Sequence, residues 1–149
     1  MIIKSIQDLS IKETEITIKY ANLTKEVERT LAILQSFNAK IKCSLEGSEK
    51  LVNVSDVYYF ESVDKMTFAY CEKEVYKTEL RLYQVVEDYA RMGFVQISKS
   101  CVLNINVLDS ITPLLNSRME AKLINRERLL VTRNYIDGIK QSLQGSIQS

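Results

Sequence analysis

Apolar and polar residues follow two different periods along this chain. In ETEITIKY, residues 13–20, Ile16 and Ile18 fall on one side and Thr17 and Lys19 on the other. A period of two reads as a half-buried strand, and the preceding IIKSIQDL has mixed, strand-like character. Over residues 24–37 the period lengthens. Val27, Leu31 and Leu34 recur at spacings of four and three, with Ala32 and Ile33 widening the stripe. That spacing predicts an amphipathic helix, capped by Asn22 or Thr24, with Glu26 and Glu28 near its positive end. Residues 1–42 are thus expected to form a small ββα segment. Its helix packs either on the rest of the chain or on a second copy through Val27, Leu31 and Leu34, which makes it a candidate dimerisation element.

From residue 40 onward short strands dominate. IKCSLE and EKLVNV flank a Gly47-Ser48 turn, and VYYFESV and MTFAYCE flank Asp64-Lys65 as a short-looped hairpin. EVYKTEL continues the habit. RLYQVVEDYARM, residues 81–92, returns to helical spacing through Leu82, Val85, Val86 and Tyr89, and Gly93 ends it. FVQIS and CVLNIN follow. VLDSITPLL, RMEAKLIN and RERLLVT are three further strand candidates, with turns at Asn116-Ser117 and Asn125-Arg126. NYIDGIKQSL closes the pattern as a helix, with Tyr135, Ile139 and Leu143 four apart, and the final GSIQS is expected to fray. The fold class is therefore mainly β with short helices, over a domain of residues 43–149 behind the ββα segment.

Composition removes several kinds of chemistry. The 149 residues include no histidine, so no imidazole base, Ser-His or Cys-His pair or His-ligated zinc is available. Four glycines form no phosphate-cradling loop, and Cys43, Cys71 and Cys101, widely spaced and odd in number, fit reduced thiols better than a metal site or a disulfide framework. No catalytic residue, metal or cofactor is expected, and an enzyme is disfavoured. Reduced thiols, no secretory signal and no membrane-spanning apolar run point to the cytoplasm and to no membrane insertion. The net charge of +1 hides an asymmetry. Residues 1–90 carry 12 Lys/Arg against 15 Asp/Glu, whereas residues 91–149 carry 8 against 4. A basic final third fits a polyanionic partner; a merely solvated surface is the plainer alternative.

Three short stretches could meet such a partner. In FVQISKSCVLNI an apolar run is interrupted by Ser98, Lys99 and Ser100, two hydroxyls around a cation that suit phosphate oxygens. Arg133 and Asn134 stand at a strand-to-helix junction, where backbone N–H groups also favour anions, and both side chains suit bidentate contacts to bases. Lys65 sits at a hairpin tip beside Met66. Each alone is a weak signal: a hairpin-tip lysine is usually a solubilising residue, and Thr-Arg-Asn before a helix is often a cap.

Their order is more telling. VSDVYYFESVDKMTFAY, then a helix ending in GF, then a strand and Ser-Lys-Ser leading into VLN, then LLVTRNY before a terminal helix, resembles the LytTR DNA-binding domain of bacterial transcription regulators, over about residues 45–145. The resemblance implies a β-rich DNA-binding fold that is not a helix-turn-helix. Its loops would enter successive major grooves of double-stranded DNA at repeated promoter sites, commonly as a homodimer. It places DNA contacts at Lys65 and Met66, at the triplet Ser98, Lys99 and Ser100, and at Arg133 with Asn134. Many family members carry His or Arg where this chain has Ser98 or Lys99. The segment before the domain is short for a doubly wound receiver, so the chain looks like the stand-alone members, without phosphorylation control. A protein-interaction domain acting through the N-terminal helix, with DNA binding lost, is the alternative reading.

Overall fold

The helical stripe forms where its spacing puts it. In the computed structural model, which describes residues 1–147, α1 spans Lys25–Ser36. Of the two expected caps it uses Thr24, whose Oγ1 accepts from Val27 N at 3.3 Å. Val27, Leu31 and Leu34 are half-buried, and α1 lies against the chain's own Ala90–Met92 turn.

The alternating stretches from residue 40 build one antiparallel sheet. Its strands are β1 (Lys40–Leu45), β2 (Ser48–Asn53), β3 (Val57–Val63), β4 (Met66–Cys71), β5 (Val75–Thr78), β6 (Phe94–Ser98) and β7 (Cys101–Asn104), in the order β2-β1-β5-β4-β3-β7-β6. The helix α2 (Leu82–Tyr89) bridges β5 and β6. A second sheet, in the order β10-β9-β8, contains β8 (Leu108–Pro113), β9 (Met119–Leu123) and β10 (Arg128–Val131), and α3 (Ile136–Ile147) follows it. The division expected between residues 42 and 43 therefore falls inside β1.

Period-two alternation sends side chains of the large sheet into two cores. On one face Phe60, Val102 and Phe94 pack with Val85 of α2, the Phe60 and Phe94 rings lying 5.6 Å apart. On the other face Tyr59, Leu103 and Ile97 pack with Leu123, Val131 and Ile139 from the small sheet and α3. β7 is covered on both sides, which explains why all four of its residues are buried. Burying side chains such as Leu103 and Ile139 contributes about 1.5–3 kcal/mol each.

Two sequence signatures prove to be structural fastenings. Gly93 ends the helical region at φ +101, and a Cβ there would stand 3.0 Å from both Asn106 Nδ2 and Ile105 Cγ1. The Asn of VLN, Asn104, is buried; its Nδ2 donates to Val57 O at 2.9 Å and its Oδ1 accepts from Asn106 N at 3.0 Å.

The two strands expected within residues 1–20 do not form. A turn does, with Asp8 Oδ1 accepting from Ser10 N and Ser10 Oγ at 2.9 and 2.7 Å. No ladder joins its flanks among the described residues, and Ile2 and Ile16 are 85% and 66% exposed. Alternation prepares a stretch for a sheet, but the sheet needs a second edge, and this chain supplies none there. At the other end α3 continues through Ile147 instead of fraying at Gly145, and Gln148 and Ser149 lie outside the described residues.

Candidate nucleic-acid interface

The Ser-Lys-Ser triplet is a turn. Ser98 ends β6, Cys101 begins β7, and Ser98 pairs with Cys101. Ser98 Oγ accepts from Ser100 N at 3.3 Å and lies 3.4 Å from Ser100 Oγ. The two hydroxyls thus shape the turn, and the exposed Lys99 stands at its tip. Ile97 just behind it is fully buried and sits at a register shift, which fixes the direction in which the turn leaves the sheet.

Two backbone hydrogen bonds bring neighbouring loops to this turn. Ser62 N donates to Ser100 O at 2.8 Å, tying the β3–β4 hairpin to it. Thr132 N donates to Ile97 O at 3.0 Å, tying the β10–α3 junction to it. Arg133 follows Thr132 directly and is exposed in the first turn before α3, with Val131 behind it fully buried.

The β6–β7 turn, the β10–α3 junction and the β8–β9 turn frame an open depression of about 690 Å³ lined by Ser98, Lys99 and Ser100, by Thr132, Arg133, Asn134 and Tyr135, and by Asn116 and Arg118. Its charged members are Lys99, Arg118 and Arg133, and no carboxylate lines it among the described residues. A second groove, of about 510 Å³ between β1 and β5, differs in character. There Lys40, Lys42 and Lys77 alternate with Glu49 and Glu79, and Lys42 Nζ already pairs with Glu49 at 2.9 Å.

Of the residues singled out in the sequence, the depression unites Ser98, Lys99, Ser100, Arg133 and Asn134. Lys65 and Met66 are exposed on the adjoining hairpin but do not line it. Asp64 and Lys65 adopt φ of 51° and 66°, so this two-residue turn has the twist that hairpins prefer, although neither residue is glycine. Arg81 Nη1 donates to Lys65 O at 2.9 Å and holds the tip from the start of α2. Val27, Leu31 and Leu34 sit apart on α1. Asn116 and Arg118 were missed as site residues. Asn116-Ser117 was legible as a turn, and both residues do have positive φ, but the sequence does not show that this turn reaches Arg133.

No cysteine lines the depression among the described residues. Burial, aided by Glu61, pushes the Cys101 thiol up to about 12, and burial, aided by Asp56, pushes Cys71 up to about 11. Among the described residues no group of three or more His, Cys, Asp or Glu could hold a metal ion. The arrangement can donate hydrogen bonds and positive charge to an anionic chain.

A mainly β fold that presents loops in this way matches a solved LytTr DNA-binding domain from Bacillus cereus, with a TM-score of 0.67 and 22% identity, covering 70% of this chain and 96% of that one. Residues 47–144 match the family profile of the LytTr DNA-binding domain, and the chain belongs to that family. It is 26% identical over 132 residues to the sensory transduction protein LytT of Bacillus cereus, covering 89% of this chain and 49% of that protein. It is 29% identical over 93 residues to an HTH-type transcriptional regulator of Staphylococcus aureus, covering 62% of this chain and 63% of that protein. The chain thus spans about half the length of the LytT protein it matches. In the present fold strands separate α1, α2 and α3, and the candidate surface is made of loops on sheets.

Proposed function

We propose that this protein is a sequence-specific regulator of transcription that binds double-stranded DNA at repeated promoter sites as a homodimer. The observation that carries this reading is the acid-free depression holding Lys99, Arg118 and Arg133, where loops from both sheets meet. Phosphates of one strand are taken by Lys99, Arg118 and the hydroxyls of the triplet, which sets the register of the protein on the duplex. Arg133 and Asn134 read base edges in one major groove, and Lys65 with Met66 reaches the next from the hairpin. The turn before α3 adds backbone N–H groups that favour phosphate. None of these steps makes or breaks a covalent bond, so the protein is read as a non-enzyme without cofactor.

The relatives come from Bacillus and Staphylococcus, and no described helix is long and apolar enough to cross a membrane. Together with three unpaired cysteines this supports a bacterial, cytoplasmic setting. The half-buried Val27, Leu31 and Leu34 of α1 are the proposed dimer contact.

In vitro selection from a random duplex pool tests the reading. The expected product is a pair of similar half-sites, with affinity falling steeply as salt rises. A pool that shows no enrichment, or binding indifferent to salt, would remove DNA as the partner and favour a protein-interaction role.

A further inference from the structure

The amino-terminal residues are patterned as a strand but have no strand to pair with. Ile16 is 66% and Tyr20 50% exposed, and residues 12–23 join neither sheet. We propose that residues 14–20 pair antiparallel with the same residues of a second copy of this chain, about a twofold axis through Thr17. The proposal rests on the homodimer reading above and names a contact for it beyond α1.

The sequence is self-complementary in that register. Glu15 of each copy faces Lys19 of the other, Ile16 faces Ile18, and Thr17 faces Thr17. One contact made twice is what a twofold interface requires. Opposite charges and β-branched pairs directly across an antiparallel ladder are both stabilising. A slip of one residue would set Ile16 against Thr17 or Lys19 and mix the two faces. The pairing also satisfies backbone groups that lack a ladder within one chain.

The resulting ribbon gathers Ile16, Ile18 and Tyr20 of both copies on one face. A two-stranded ribbon is marginal by itself and needs a layer over that face. Only residues 21–24 separate Tyr20 from α1, so the stripe of Val27, Leu31 and Leu34 lies within reach to cover it.

Charge reversal in the full-length chain tests the contact. Glu15→Lys and Lys19→Glu each set like charges across both pairs, and each variant should dimerise about tenfold more weakly in sedimentation equilibrium. Mixed in equal amounts they should recover, because the Glu15→Lys chain then faces the Lys19→Glu chain with opposite charges. Thr17→Cys should form a disulfide between copies under mild oxidation that the native cysteines do not form. Binding to a single DNA half-site should be unchanged in every variant. A dimer indifferent to both reversals, with no recovery on mixing and no Thr17→Cys cross-link, overturns the strand pairing. If Leu31→Asp then dissociates that dimer, the homodimer reading survives through α1. If Thr17→Cys instead cross-links to a cysteine placed on the exposed edge strand β2, the arm docks there and the self-pairing is wrong. A wild-type chain that stays monomeric at high concentration removes both the pairing and the homodimer.

Discussion

Lys65 shows how one residue can serve two opposed demands. Its φ of 66° is a conformation that a side chain with a Cβ resists by about 1 kcal/mol, and the second position of this hairpin turn favours glycine. On the proposed reading its charge is nevertheless what the hairpin offers to a duplex. Lys65→Gly should therefore raise the melting temperature while weakening DNA binding and lowering the salt slope by about 1. A variant that gains stability and keeps its full affinity would take the hairpin tip out of the interface. Arg133 faces no such conflict, since its side chain is exposed and its position is held by the Thr132 backbone. Arg133→Ala should leave melting unchanged, cost about 1–3 kcal/mol of specific binding, and relax preference at one base. Early melting with intact binding would make Arg133 a structural residue instead.

At the scale of elements, the β6–β7 and β8–β9 turns each bring one cation to the same depression from different sheets. Lys99 and Arg118 line one depression, which no carboxylate lines among the described residues. Lys99→Ala and Arg118→Ala should each weaken specific and random DNA alike, and each should reduce the dependence of binding on salt by about one ion. A loss confined to one base position would mean that the residue reads sequence. Most elements were legible from period alone, because a buried face imposes its spacing locally; the helices at α1 and α2 and the strands from β1 to β10 lie close to where the apolar pattern puts them. The amino-terminal strands were not, because pairing depends on an edge that lies elsewhere. Arg118 escaped for a related reason. Its turn is encoded in Asn116-Ser117, but its approach to Arg133 depends on sheet pairing far along the chain.

For the whole molecule, the small sheet must stay docked on the large one for those turns to meet. Tyr59 in the large sheet is buried, and its hydroxyl donates to Glu127 Oε2 at 2.7 Å across that junction. Burial first, and then the Glu127 carboxylate, raise the pKa of Tyr59 well above the ordinary tyrosine value of 10.0. The unfolded chain therefore loses this proton first. The stabilisation is complete below about pH 10 and is lost progressively as pH rises beyond it. Tyr59→Phe should cost about 1–3 kcal/mol at pH 8. It should also flatten the loss of stability between pH 10 and 11 in denaturant titrations, though only in part, because Tyr58, Tyr70 and Tyr89 are raised by burial as well. An alkaline profile identical to that of the native protein would place the sheet junction elsewhere.

The β3–β4 hairpin and the β10–α3 junction are joined to the β6–β7 hairpin by main-chain atoms, Ser62 N to Ser100 O and Thr132 N to Ile97 O. Such bonds ask nothing of the side chains at those positions beyond leaving the N–H in place. Exposed side chains that take no part in shaping the loops, such as Lys99 and Arg133, can therefore change in the course of descent without disturbing this frame. If these loops contact DNA as proposed, a lineage can alter its contacts one loop at a time while each intermediate still folds. On the proposed reading, exchanging the Ser-Lys-Ser turn for that of a relative should shift the affinity for DNA of any sequence and leave the base preference of the other loops as it was.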